Sequence, residues 1–189
     1  MRKTKPSACG AVFLDRDGVI NHPPSESRRY IRSWDEFRFI PKTLAAIRKL
    51  RQAKKRVILV SNQAGVGKKI MTRRQLNEIT RRMAAAIRKA GGKLDAVYYC
   101  THDPAAGCLC RKPNTGMLKK ARRKFGIDLS ASFVVGDSPT DILMGQLAGS
   151  TTVLVLSGKT HRRVARTMAH PPHHTAKNLH DAVKWILNR

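Results

Sequence analysis

Two aspartates near the start of the chain have the spacing of a metal or phosphate site. Asp15 and Asp17 directly follow the apolar residues 11–14. Gly18 comes next, and glycine permits a sharp turn that lets both carboxylates face one ligand. A third aspartate, Asp137, follows a later apolar run. Carboxylates this close repel one another unless a cation neutralises them, and such oxygen ligands suit Mg²⁺. The three aspartates therefore predict magnesium, although a lone Asp-x-Asp-Gly string is more often a surface turn.

Polar residues also follow the next apolar run. Residues 61–63, Ser-Asn-Gln, offer a hydroxyl and backbone N–H groups that can hold phosphate oxygens. The alternative is an ordinary loop between a strand and a helix. A P-loop is excluded because its Gly-x-x-x-x-Gly-Lys-Ser/Thr spacing is absent. Further along, Arg111 and Lys112 precede Pro113, and a cation fixed there would stabilise the charge of a transferring phosphoryl group.

Four potential zinc ligands lie close together in the sequence. They are Cys100, His102, Cys108 and Cys110. Three thiols and an imidazole complete a closed tetrahedral Zn²⁺ site, so the ion is expected to be structural and to order the loop 100–110. The alternative is a loop of unliganded thiols. Cys9 is expected to be an ordinary thiol outside this group. His170, His173 and His174 are also neighbours, but the prolines around them favour a solvated loop over a second metal cluster.

Short apolar runs and helical patterns alternate along the chain. The runs predict strands at residues 11–14, 57–60, 96–99, 133–135 and 152–156. Helices are predicted from Pro41, from a cap at Thr72, and at residues 117–125, 141–148 and 178–187. The alternation predicts an α/β fold of three layers, a Rossmann-like parallel sheet with helices on both faces. Such sheets bind ligands at the carboxyl ends of their strands, where the polar residues fall.

Length and composition limit the possible classes of protein. The 189 residues contain no linker-like stretch, so residues 1–189 are predicted to form one domain. The apolar run at residues 11–14 is too short for an export signal or a membrane span, which makes the cytoplasm the expected location and a membrane an unexpected partner. The net charge of +26 favours non-specific binding of nucleic acid. A basic surface that is merely solvated explains the charge as well.

Four segments resemble, in sequence and in order, the signature segments of haloacid dehalogenase phosphatases. They are residues 13–21, 60–65, 110–113 and 135–142. Within that superfamily the chain looks most like the D-glycero-D-manno-heptose 1,7-bisphosphate phosphatases and the histidinol-phosphate phosphatases. Both share the Asp-Arg-Asp-Gly opening and a zinc loop. The resemblance implies the haloacid dehalogenase fold, and the short spacing between segments leaves no room for a large cap domain.

The resemblance also implies a catalytic role for four residues. Asp15 would be the nucleophile that forms an aspartyl-phosphate. Asp17 would protonate the leaving oxygen and then activate water. Ser61 and Lys112 would bind the phosphoryl oxygens. The cofactors implied are Mg²⁺ at the active site and structural Zn²⁺ in the loop.

Substrate contacts and metal ligands follow from the same resemblance. The residues expected to face the substrate are Asn62, Gln63 and Arg111. The expected magnesium ligands are Asp15, the Asp17 carbonyl group and Asp137, with Asp141 supporting them from behind. Ser138 stands where some relatives have lysine, and the proline-rich loop at residues 22–26 is longer than theirs. Neither is assigned a role.

The expected activity is magnesium-dependent hydrolysis of a phosphorylated sugar, first of all the heptose 1,7-bisphosphate. The Gly-Met-Leu string at residues 116–118 looks more like the heptose enzymes than the histidinol-phosphate ones. A polynucleotide 3′-phosphatase is a further alternative, although those relatives generally lack the zinc ligands. The last alternative is a non-catalytic nucleic-acid-binding protein that uses basic bands within residues 73–89 and 119–124. The retained carboxylates and an aromatic content of only 5% argue against it.

Overall fold

The centre of the fold is a sheet of six strands. The computed structural model describes residues 9–25, 29–158, 160 and 167–189. The strands are β1 (Ala11–Leu14), β2 (Arg56–Asn62), β3 (Ala96–Cys100), β4 (Phe133–Gly136), β5 (Thr151–Val155) and β6 (His174–Ala176). Every neighbouring pair is parallel, and the order across the sheet is β3-β2-β1-β4-β5-β6. The carboxyl ends of all six strands therefore lie along one edge of the sheet.

Helices pack on both faces of this sheet. They are α1 (Thr43–Gln52), α2 (Arg73–Lys89), α3 (Gly116–Phe125), α4 (Pro139–Leu147) and α5 (Leu179–Leu187). One core contains α1, α2 and α5, and the other contains α3 and α4. Strand β1 serves both, because Val12 and Leu14 enter the first core while Ala11 and Phe13 enter the second. The predicted three-layer α/β fold with a parallel sheet is confirmed.

The boundaries of several elements differ from those that the sequence predicts. Helix α1 begins at Thr43 rather than at Pro41, because Lys42 before it has a left-handed backbone with φ of 67°. Helix α4 begins two residues early, at Pro139, with Ser138 as its N-cap. Helix α2 begins after Thr72 as predicted, with the expected capping box.

Strand β6 is absent from the sequence prediction, which places a solvated loop around His170, His173 and His174. The His173 Nδ1 atom lies 2.8 Å from the Thr152 hydroxyl oxygen, and the His174 ring stacks on Trp185 with a centroid distance of 4.4 Å. These contacts attach the segment to the edge of the sheet. Among the described residues, these histidines form no metal cluster.

No helix in the described parts of the chain combines the length and the apolar character needed to cross a membrane.

Candidate active site

Most of the predicted site residues line one cleft at the carboxyl edge of the sheet. The cleft has a volume of about 700 Å³. Its lining includes Asp15, Asp17, Ser61, Asn62, Arg111, Lys112 and Asp137. Parallel strands produce this arrangement, because β1, β2 and β4 end side by side and each is followed by a polar turn. In the described residues, the chain segments that leave this edge form loops and short 3-10 turns, with no large cap over the cleft.

Lys112 is the buried counter-ion of two aspartates. Its Nζ atom lies 2.8 Å from Asp15 Oδ1 and 2.5 Å from Asp141 Oδ1, and it donates to the Val60 carbonyl at 3.2 Å. Burial alone would lower the pKa of Lys112, but the charges of Asp141 and Asp15 raise it above its ordinary value. Burial raises the pKa of Asp15, and the charge of Lys112 opposes that rise. A fixed cation therefore lies beside the Asp15 carboxylate.

The Asp17 carboxylate accepts hydrogen bonds from three side chains. Arg16 donates to both oxygens at 2.9 to 3.1 Å, Asn21 donates to Oδ1 at 2.8 Å, and Gln63 donates to Oδ2 at 2.9 Å. Burial alone would raise the pKa of Asp17, but the Arg16 charge and these hydrogen bonds lower it below its ordinary value. The resting Asp17 side chain is thus an ionised carboxylate held in one orientation.

Asp137 is packed between two glycine backbones. A Cβ atom on Gly18 would lie 2.2 Å from Asp137 Oδ2, and one on Gly158 would lie 2.0 Å from the same oxygen. Gly18 also has a φ of 86°, which favours glycine at this turn. The Ser157 hydroxyl donates to the Gly18 carbonyl at 2.8 Å and joins the loop after β5 to the turn after β1. Only residues without a side chain allow Asp137 to approach the Asp15 turn so closely.

The acidic residues of the cleft fit a magnesium ion. Carboxylate oxygens of Asp15, Asp137 and Asp141 all lie within 4.8 Å of one another. Octahedral Mg²⁺ with bonds near 2.1 Å holds its ligands about 3 to 4 Å apart, so the spacing suits it. Asp141 is already engaged, because its Oδ1 pairs with Lys112 and its Oδ2 accepts from the Ser138 hydroxyl at 2.5 Å. Asp141 therefore stands behind Asp15 and Asp137, the two aspartates that could hold the ion.

Asn62 at the end of β2 and Gln63 directly after it contact neighbouring site residues. Asn62 accepts from the Lys112 backbone N–H at 3.1 Å and donates to the Lys112 carbonyl at 3.3 Å. Gln63, which we expected to face the substrate, is only 1% exposed and donates to Asp17 and to the Ser61 hydroxyl. Asn62 thus fixes the backbone of Lys112, and Gln63 holds the Asp17 and Ser61 side chains from behind.

The predicted zinc ligands form a compact group beside the cleft. Cys108 Sγ lies 3.5 Å from the sulfur atoms of both Cys100 and Cys110. His102 Nδ1 lies 3.2 Å from Cys110 Sγ and 3.8 Å from Cys100 Sγ. Tetrahedral Zn²⁺ with its usual bond lengths places two sulfurs about 3.8 Å apart, and a sulfur and a nitrogen about 3.6 Å apart. The three cysteines and the histidine can therefore bind zinc. None of the four cysteines of the chain, Cys9 included, forms a disulfide.

The sequence prediction missed several residues that shape the site. Arg16 and Asn21 orient Asp17 through hydrogen bonds. Arg16 is 0% exposed, although the sequence favours a solvated side chain for a cation between two aspartates. Arg29 and Tyr30 line the cleft from the segment before α1. The proline-rich loop without an assigned role also contributes to the lining, through Pro23, Pro24 and Ser25. Glu26 of that loop lies outside the described residues. Ser138 caps α4 and binds Asp141.

The fold and the position of the site define a class, the haloacid dehalogenase-like hydrolases. The HAD-hydrolase-like family model matches residues 109–182. A D-glycero-beta-D-manno-heptose-1,7-bisphosphate 7-phosphatase of Bordetella bronchiseptica is 37% identical over 155 residues, which are 82% of this chain and 85% of that protein. An enzyme of the same name from Photorhabdus laumondii is 36% identical, over 93% of this chain and 96% of its own length.

Solved structures give the same result. The D,D-heptose 1,7-bisphosphate phosphatase of B. bronchiseptica, complexed with magnesium and phosphate, superposes with a TM-score of 0.88 at 33% identity, covering 95% of this chain and 98% of that one. The corresponding enzyme of Burkholderia thailandensis has a TM-score of 0.72 at 29% identity, with coverages of 95% and 99%. The chain therefore belongs to the haloacid dehalogenase-like hydrolases, within the group of the heptose bisphosphate phosphatases, and it is a phosphatase.

Proposed function

We propose that this enzyme is a magnesium-dependent phosphomonoester hydrolase that acts on a phosphorylated sugar, D-glycero-D-manno-heptose 1,7-bisphosphate, through an aspartyl-phosphate at Asp15. The observation that carries the proposal is the pairing of Asp15 with Lys112 at 2.8 Å in an acidic cleft that fits magnesium. The choice of substrate rests on the similarity to relatives that are named for this sugar bisphosphate.

The first step transfers the phosphoryl group to the enzyme. An Asp15 oxygen attacks the phosphorus, the bond from phosphorus to the sugar oxygen breaks, and the sugar oxygen takes a proton from Asp17. Lys112 and the Ser61 hydroxyl bind the phosphoryl oxygens. Magnesium, held by Asp15, the Asp17 carbonyl and Asp137, would neutralise the negative charges of the aspartates and of the phosphoryl group in the cleft.

The second step releases phosphate. The oxygen of a water molecule attacks the phosphorus, a proton of that water passes to Asp17, and the bond between Asp15 and phosphorus breaks. The hydrogen bonds that lower the Asp17 pKa favour the carboxylate, the form that accepts this proton. The first step needs the protonated form, and the nearby phosphate dianion of the substrate favours it, because a like charge raises a carboxyl pKa.

We propose a structural role for zinc at Cys100, His102, Cys108 and Cys110. The Asn114 side chain donates to the Cys108 carbonyl at 3.0 Å, and the Gly116 N–H donates to the Leu109 carbonyl at 3.2 Å. These bonds join the cysteine loop to the start of α3, across the segment that carries Arg111 and Lys112. Zinc in the loop would therefore hold both cations in place. A reduced compartment such as the cytoplasm would keep the thiols available as ligands.

The alternative substrates are histidinol phosphate and a 3′-phosphorylated polynucleotide; a non-catalytic nucleic-acid-binding protein is disfavoured, because the relatives are phosphatases. The basic side chains on α2 and α3 that we assigned to two bands are all exposed. They are Arg73, Arg74, Arg81, Arg82, Arg88 and Lys89 on α2, and Lys119, Lys120, Arg122, Arg123 and Lys124 on α3. Such surfaces bind phosphates without sequence specificity, so we propose nucleic acid as a bystander rather than as the substrate.

A comparison of substrates tests the proposal. With magnesium present, kcat/KM is measured for the heptose bisphosphate, for histidinol phosphate and for an oligonucleotide with a 3′-phosphate, at near-physiological salt. The heptose bisphosphate should give the highest value. An equal or higher kcat/KM for the oligonucleotide would show that the substrate is a polynucleotide. An equal or higher kcat/KM for histidinol phosphate would show that the substrate is that ester.

A further inference from the structure

Arg29 occupies an unusual backbone conformation at the wall of the cleft. Its φ is 48°, in the left-handed region that residues other than glycine seldom adopt. Its N–H donates to the Ser25 carbonyl at 3.2 Å, so the loop that contains Ser25 holds it from one side. A strained position of this kind persists only where the surrounding structure over-determines it, and such positions cluster at ligand sites.

Tyr30 fixes Arg29 from the other side. A Cβ atom on Gly65 would lie 3.1 Å from the Tyr30 ring, which shows that the ring packs directly on the glycine backbone. Gly65 belongs to the loop that follows the Ser61 strand, and Ile31, the next residue along, is buried in the core. Arg29 is thus attached to the loop that directly follows the strand of Ser61, a proposed phosphoryl ligand.

The charges of the cleft leave Arg29 available for an anion. Lys112 already pairs with two aspartates. Arg111 lines the cleft, and one of its buried guanidinium nitrogens has no hydrogen-bond acceptor among the described residues. Arg29 is exposed, and within the described parts of the chain no carboxylate lies at ion-pair distance from its guanidinium group. Its planar fork of N–H donors suits a phosphate group.

We propose that Arg29 determines specificity by binding a second phosphate group of the substrate, distal to the one that is hydrolysed. This inference rests on the proposed function, since that substrate carries two phosphates. It predicts that Arg29 favours bisphosphorylated over monophosphorylated sugars and leaves the chemical step at Asp15 unchanged. The alternative is that Arg29 is a solvated cation without a specific role, and this alternative predicts no preference for bisphosphorylated sugars.

Three substitutions at Arg29 separate the side chain from the backbone. Arg29→Ala removes the guanidinium group. Arg29→Gly removes it too, but glycine suits the left-handed conformation, so the variant should fold at least as well as the wild type. Arg29→Lys keeps the charge and loses the planar fork. Arg88→Ala, at an exposed position on α2 outside the cleft, is the matched control for the loss of one positive charge.

The assay compares the heptose 1,7-bisphosphate with the 7-monophosphate of the same sugar. Arg29→Ala and Arg29→Gly should each lower kcat/KM for the bisphosphate by about 10- to 100-fold, the usual range for a lost hydrogen bond to a charged group. Hydrolysis of the monophosphate should change by no more than about twofold, as should both activities of Arg88→Ala. Arg29→Lys should fall between wild type and Arg29→Ala for the bisphosphate. Equal losses on both substrates, or no loss, would overturn the inference.

A second measurement keeps the inference separate from the choice of sugar. The assay follows hydrolysis of p-nitrophenyl phosphate and measures competitive inhibition by fructose 1,6-bisphosphate and, separately, by fructose 6-phosphate. Arg29→Gly should weaken inhibition by the bisphosphate about 10-fold and leave inhibition by the monophosphate unchanged. That result would support Arg29 even if the heptose bisphosphate proved not to be a substrate. Unchanged inhibition by both sugars would refute the inference even if the heptose bisphosphate were hydrolysed.

Discussion

Replacing Lys112 by methionine removes the buried cation while nearly keeping the volume of the side chain. The Lys112 side chain is 3% exposed and lies within ion-pair distance of Asp15 and Asp141, which are 11% and 1% exposed. Removing one partner of a buried ion pair typically lowers the free energy of unfolding by about 3 to 5 kcal/mol. We expect a loss in that range for Lys112→Met near neutral pH. Lys119→Met, at an exposed position on α3, should change stability by no more than about 0.5 kcal/mol.

The loss should depend on pH in a defined direction. The Lys112 pKa is raised in the folded protein, so the stability that it contributes is complete below its ordinary value of 10.5 and does not vary at lower pH. In the variant Asp15 loses the cation that opposes the effect of burial, so the pKa of Asp15 rises further. The folded variant then binds protons that the unfolded chain does not, which stabilises it as pH falls. We expect the deficit at about pH 5 to be smaller, by about 1 kcal/mol, than at about pH 8.

Urea unfolding at both pH values, without added magnesium, measures this deficit for the variant and its control. Adding magnesium at the higher pH should restore part of it, because the ion neutralises Asp15 and Asp137 in place of the lysine. A deficit within about 1 kcal/mol of zero at the higher pH, or one that grows as pH falls, would refute Lys112 as the counter-ion.

The remaining predictions concern zinc, the Asp137 position and the basic surface. Cys108→Ser should lower zinc content well below one ion per chain and lower Tm, whereas Cys9→Ser should keep both, and full zinc in the first variant would contradict the assignment. Gly158→Ala should raise the magnesium concentration for half-maximal activity about 10-fold, because its Cβ meets Asp137, while an unchanged requirement would show that the close approach is dispensable. Nucleic acid should inhibit sugar-phosphate hydrolysis at low salt and release the enzyme as salt rises, and inhibition that persists at high salt would argue against binding by counterion release.

The sheet and the position of the site are predictable from sequence because they depend on local patterns. Strand β1 is apolar at every position, since both of its faces are buried, and the polar turn after it marks the carboxyl end. Strand β6 has only three residues, His-Thr-Ala, of which only Ala176 is buried. A strand this short and polar carries no periodic signal, so its existence depends on pairing with β5.

Partners within the site are harder to predict, because they are distant in sequence. The sequence predicts Gln63 as a site residue, but the hydrogen bond that Gln63 donates to Asp17 joins positions 46 residues apart. Its burial follows from the way β1 and β2 pair, which spacing alone does not show. Arg29 and Tyr30 belong to a segment without helical or strand periodicity, and tertiary contacts such as the packing of Tyr30 on Gly65 bring them to the cleft.

The central claim is that Asp15 is the nucleophile of a phosphatase, and Asp15→Asn tests it most directly. Asparagine keeps the shape of the side chain, so the protein should remain folded, with a Tm close to that of the wild type. Loss of a catalytic nucleophile should lower kcat by more than about a thousandfold, and a rapidly quenched wild-type reaction should contain phosphate bound to Asp15. A folded Asp15→Asn enzyme that retains more than about a thousandth of wild-type activity would contradict covalent catalysis at this residue.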